Sequence, residues 1–402
     1  MVLPPSDHPC WLQLANGALA HLSTGNLAAQ LLTKRLERSK QPAAARAHQI
    51  REFFLKWEPA LGGEIDQLDH LRSTPLNQLI SVEHAIALIR SDVPLCLAGP
   101  ESALAQLPPG RWIAGTIPYF MIERGGVVVT EGQVFATELS SVGEVAIACY
   151  GADELAGITG NAPDNGFAIA VIPAGGQCHR RFAAEAAGYD DALLKPTVGW
   201  ISGVHLSELG RATPKVFDGR TAAVHTDRAV VAYVSLPPGK LASVEIVNLF
   251  EPDGGDVLQF DDTSFEIARC RVNGEAANFA DYVRRRGLEH GQLPLVGDYA
   301  GAHVNVSLQS IGPPGGAVAM YAPVFPGVDY RFARPVGDYA AAFRARLAGQ
   351  ATQDAVMACN CILNFVFGEL EGKAIGGVQG PVTFGEIAYQ LLNQTLVTLR
   401  VR

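Results

Sequence analysis

The residues best able to do chemistry fall within positions 357–402, at the end of the chain. They are Cys359 and Cys361, the carboxylate of Glu386 between Gly385 and Ile387, and the run Asn393-Gln394-Thr395. All stand among apolar neighbours, where burying an amide or carboxylate without a partner costs roughly 2–7 kcal/mol. Such groups must be partnered, exposed or kept for a ligand. Cys359 and Cys361 stand two apart in a strand-like segment, so their side chains share a face. A thiol pair so placed can bind a soft metal, cycle between redox states, or supply a nucleophile beside a base. Zinc would need two more ligands, and the chain offers no second Cys-x-x-Cys and no His-x-x-x-His, so no metal site is expected. The plainer reading is two buried structural thiols. Glu386 is either an edge residue facing water or a pocket carboxylate, whose pKa burial would raise unless donors offset it. Asn393, Gln394 and Thr395 either satisfy the turn after Leu391-Leu392 or converge on a ligand in an apolar pocket.

The elements that must position these groups are short. Residues 355–361 read as a buried strand, and 363–373 as a helix with Leu363, Phe367 and Leu370 on one face. Residues 381–389 form a second strand, interrupted at Gly385 and Glu386, where glycine marks a bulge or a close approach. Residues 394–401 form a third. Upstream, from residue 93, short apolar runs alternate with Gly and Pro. They predict strands at 94–98, 112–120, 144–149, 167–173 and 197–204, helices at 101–107 and 179–187, a hairpin turning at Gly125-Gly126, and longer strands at 222–236 and 241–249. A similar order of elements follows residue 250, with helices at 276–286 and 338–347. Residues 1–92 differ in texture, with helical spacing at 11–40, 43–57 and 81–90, the last capped by Ser81 with Glu83 in its first turn. The expected fold is α+β. Two similar halves of mixed and antiparallel sheet, 93–250 and 251–402, pack as a layered sandwich with outer helices, behind a helical extension over 1–92.

Cys359 in an apolar strand, then a helix, then Gly385-Glu386-Ile387, then Asn393-Gln394-Thr395 in a closing strand resembles the C-terminal half of the FIST sensory domain. Upstream, Val272-Asn273-Gly274, Leu293-Pro294-Leu295 and the stretch 322–327 fall in the same order. Together these cover about 240–402, and 94–210 resembles the N-terminal half more weakly. The chain departs from the family pattern in having Leu392 where a His commonly precedes the Asn-Gln-Thr triplet, and Asn360-Cys361-Ile362 where Gly-Arg often follows the Cys, so what it resembles is a divergent member. The resemblance implies a non-catalytic sensor that binds a small molecule such as an amino acid through Cys359, Asn360, Glu386, Asn393 and Gln394. It further implies output through a partner such as a signalling kinase or cyclic-nucleotide enzyme. Haem serves the gas-sensing members, for which His205 or His225 could supply an axial ligand. The alternative is an enzyme using the same pocket, with Cys359 or Cys361 as nucleophile and Glu386 as general acid or base in acyl or amide chemistry.

Composition narrows the remaining classes. A net charge of −9 gives no basic field for nucleic acid or anionic lipid. No window approaches 18 to 20 apolar residues, and the first residues lack a basic stretch leading into an apolar core, so a cytoplasmic protein is expected, away from the membrane. Seven cysteines, scattered and odd in number, point to reduced thiols. The sequence has no Gly-x-Ser-x-Gly elbow and no phosphate-binding glycine loop; Gly175-Gly176 before the helix at 179–187 offers only a weak anion site.

Overall fold

The computed structural model describes residues 76–349 and 354–402. The expected helices at 11–40 and 43–57 lie outside the described residues. The helix expected at 81–90 is present as Val82–Arg90, and Ser81 Oγ accepts from His84 N at 3.2 Å. Its inner face, Val82, Ala85 and Ile89, packs into a core with Leu97, Trp112 and Phe217.

Strands dominate, forming four six-stranded sheets and one of three strands among the described residues, an α+β architecture with few helices. The first sheet orders Asn77–Ser81, Gln133–Glu138, Leu95–Gly99, Trp112–Thr116, Val216–Asp218 and Ala223–His225. The second orders Gln390–Leu392, Glu386–Ala388, Thr197–Ser202, Gly166–Pro173, Ala229–Ser235 and Glu144–Tyr150. The third orders Ala242–Asn248, Thr395–Val401, Ala355–Cys361, Gly380–Thr383, Tyr119–Ile122 and Gly125–Val128. The three-stranded sheet runs Ser264–Ile267, Val318–Val324, Leu308–Ile311. Most neighbours are antiparallel. Three parallel pairs, Leu95 to Trp112, Ala168 to Thr197 and Asn360 to Val382 in register, are each bridged by a connection containing a helix, as parallel strands require. Gly166–Pro173 is buried at every position, which its unbroken apolar sequence fits: it has strands on both sides and cover on both faces.

Several expected elements divide, each for a local reason. The strand expected at 112–120 breaks at Ile117-Pro118, because proline cannot donate to the ladder. The hairpin turn falls on Glu123-Arg124 instead of Gly125-Gly126, with Ile122 opposite Gly125. The two glycines instead admit the backbone of 370–373. Gly126 N donates to Leu370 O at 3.1 Å, and a Cβ on Gly125, at φ +125°, would stand 2.5 Å from Gly372 C. The helix expected at 363–373 is Ile362–Phe367, ended by Gly368 and by Glu369 at φ +48°. The strand expected at 381–389 is two strands in two different sheets, Gly380–Thr383 and Glu386–Ala388.

The halves share their sheets. Tyr119–Ile122 and Gly125–Val128 complete the sheet made by the C-terminal strands, with Pro381 opposite Phe120. In exchange, Glu386–Ala388 extends the sheet of the N-terminal strands, with Glu386 opposite Trp200. Residues 76–297 and 304–402 form one compact unit. Among the described residues, no helix is long and apolar enough to cross a membrane.

Candidate functional site

Cys359 and Cys361 lie at the end of a strand flanked by Thr395–Val401 and Gly380–Thr383. Both are almost fully buried. Cys359 Sγ donates to Gly199 O at 3.3 Å, in the neighbouring sheet. Position 199 has to be glycine: its φ is +147°, and a Cβ there would stand 1.8 Å from Ala170 O. Burial raises both thiols well above the ordinary cysteine pKa, and a charge on Glu386 raises them further. Neither is a thiolate at neutral pH, so the lowered pKa that activates a catalytic cysteine is missing here.

Glu386 begins its strand just after the chain crosses between sheets at Phe384-Gly385. That crossing is held by Phe384 N to Ile201 O at 3.0 Å and Ile201 N to Gly385 O at 2.8 Å. The Glu386 side chain is completely buried. Its Oε2 accepts from Thr395 Oγ1 at 2.8 Å and Thr395 N at 3.1 Å. Burial pushes its pKa up to about 8, and the two Thr395 donors only partly offset this. Cys361 and Thr383 also lean toward the carboxylate and lower its pKa slightly, but neither is aligned to give Oε1 a hydrogen bond.

The polar side chains around it divide by role. Asn360 Oδ1 accepts from Cys361 N at 2.8 Å and Asn364 Nδ2 at 3.0 Å, securing the start of the short helix. Gln394 adopts φ +50° in the turn before the last strand. Its Oε1 accepts from Ser307 Oγ at 2.7 Å, its Nε2 donates to Gln292 O at 3.2 Å, and Asn305 Nδ2 donates to Asn393 O at 3.2 Å. These groups stitch the turn. Asn393 does this only in part: Nδ2 donates to Leu392 O at 3.0 Å, while the buried Oδ1 has no partner.

Asn393 lines a cavity of about 520 Å³, as does Cys361; Cys359, Asn360, Glu386 and Gln394 do not. Glu386 therefore stands one layer behind the cavity wall. The other walls come from distant segments: Gly175 to Arg180, the loop 204–214, Phe265, Met320, Tyr321, the helix around Leu363, and Phe384. His179 is the polar group that the sequence does not single out. Its Nδ1 accepts from Gly175 N at 3.1 Å, so the ring proton sits on Nε2, which is buried without a partner. Burial, helped by the Arg180 charge, lowers its pKa to about 4, and the ring is neutral at pH 7. The signal in the sequence is slight: a Gly-Gly turn whose first amide lies four residues before the imidazole. The weak anion site expected at this helix start is filled from within, because Cys178 N donates to Asp227 Oδ1 at 2.8 Å.

His205 lines a second cavity, of about 390 Å³, with Glu101, Thr116, Thr130 and Glu208. Its Nδ1 accepts from Ser207 N at 3.2 Å, and its ring stacks on Tyr119 with centroids 5.5 Å apart. Two carboxylates and several hydroxyls make a poor lining for a porphyrin that carries anionic propionates, so these residues do not fit haem. His225 ends the edge strand Ala223–His225. Among the described residues, no group of three or more His, Cys, Asp or Glu is placed to hold a metal ion.

No curated protein and no solved structure matches the chain. A family model matches residues 80–402, a span that takes in every residue of both cavities, and the chain belongs to that family, DUF6976, a family of unknown function.

Proposed function

We propose that the protein binds a small molecule in the 520 Å³ cavity and acts as a non-catalytic sensor, passing the signal to a partner protein. The volume falls in the range of small-molecule sites, about 300–1,000 Å³, and the lining is mostly apolar with a few polar atoms, as such sites are. The observation that carries the reading is Asn393, a residue of the cavity wall whose buried Oδ1 has no partner inside the protein. An orphan of this kind is costly unless something else meets it. The order of motifs that resembles the FIST sensory domain supports signalling as the outcome, through a kinase or cyclic-nucleotide enzyme. Catalysis through Cys361 is the weaker reading. Cys361 is in the cavity wall, but its thiol stays protonated, and Cys359 faces Gly199 instead.

Native mass spectrometry of gently purified protein, beside the variant Ala319→Trp, which fills the cavity from the strand Val318–Val324, tests this. The wild type is expected to carry a non-covalently bound compound, and the variant to be bare yet folded. A bare wild type, in spectra that preserve a known weak complex, overturns the reading.

A further inference from the structure

Resting on that reading, we infer that the ligand is an uncharged, largely apolar molecule with a hydroxyl or carboxamide head that meets Asn393 and His179. The two polar atoms left over in the buried wall are one acceptor and one donor. Asn393 commits its Nδ2 to Leu392 O and leaves Oδ1 free; His179 commits Nδ1 to Gly175 N and leaves Nε2–H free. A hydroxyl accepts from the imidazole and donates to the amide oxygen, and a carboxamide does the same with two atoms. Neither residue carries charge in this arrangement.

No charged side chain in the cavity wall is buried. Arg180 and Glu266 line the cavity, but both are exposed and opposite in sign, and the Arg180 guanidinium lies 5.4 Å from the centre of the Phe265 ring. A carboxylate or ammonium placed against Asn393 would lose its water without gaining a counter-ion. The rest of the wall is mostly hydrocarbon and aromatic ring, including Leu363, Met320 and Phe384, with Tyr321 and Gln309 as further polar side chains. Of three large hydrophobic side chains exposed among the described residues, two, Leu209 and Val366, belong to this cavity. They offer an apolar body a continuous path toward the surface.

Titration calorimetry at pH 7 with 1-octanol, octanamide, octanoate and octylamine on the full chain tests the head group at constant tail length. The alcohol and the amide are expected to bind at least about ten-fold more tightly than either ion. Asn393→Leu should weaken octanol about ten-fold, the worth of one hydrogen bond. Because Asn393 also serves a turn, His179→Phe provides the same readout from the other residue. Octanoate or octylamine binding as tightly as octanol overturns the inference while leaving the cavity a binding site. Silence from all four compounds overturns it too, and the binding-site reading falls with it only if the native spectrum is also bare.

Discussion

Glu386 has one carboxylate oxygen doubly bonded to Thr395 and the other bonded to nothing. In the unfolded chain its carboxyl ionises near 4.5, and in the fold near 8. Between these values the folded protein holds a proton that the unfolded chain has released. The stability contributed by that proton is complete below about pH 4.5 and is lost as pH rises through about 8. At its steepest the loss is roughly 1 kcal/mol per pH unit. Glu386→Gln keeps the Thr395 contacts and removes the titration. Urea unfolding at pH 5 and pH 8 should give a difference between wild type and variant that changes in this direction; a constant difference would mean that Glu386 ionises normally in the fold. From the sequence, Glu386 could be an edge or a pocket residue. Which of these applies depends on a strand leaving one sheet for another, and a single residue carries no mark of that.

At the scale of elements, close approach between sheets decides the chemistry more than propensity does. The Cys359 thiol reaches Gly199 O because position 199 has no side chain, and the adjacent Ala170 carbonyl leaves no space for one. Gly199→Ala combines a left-handed backbone with a direct clash, and is expected to cost about 3 kcal/mol or more in chemical denaturation. A variant as stable as wild type would contradict this packing. Strand and helix existence was largely legible: 355–361, 144–149, 338–347 and the Ser81 cap all fall within a residue or two of their expected places. Gly385 was legible as an interruption, since glycine inside an apolar run signals bend or approach, and it marks the crossing between sheets. Asn393 was legible as a short polar residue where burial is expensive. His179 was not, because its meaning depends on Gly175 N four residues earlier and on walls contributed by segments near 205, 265, 320 and 384. Periodicity reports one segment at a time, and this cavity is made by eight.

For the whole molecule, the similar order of elements before and after residue 250 invites division into two bodies, yet each side lends strands to the other's sheet. Expressed separately, residues 76–250 and 251–402 should each be insoluble or molten, with unpaired edges where the lent strands belong. Co-expressed, they should associate into a folded complex, read by dispersed amide resonances. A well-dispersed spectrum from either piece alone would contradict the interleaving. The exchange also sets a timetable for biosynthesis. The strands Glu386–Ala388 and Thr395–Val401 pair with strands near 200 and 245 that are translated well over a hundred residues earlier. Those earlier strands keep open edges until residues 386–401 are available to pair. Contacts this distant in sequence are expected to slow folding and to leave sheet edges exposed while it proceeds.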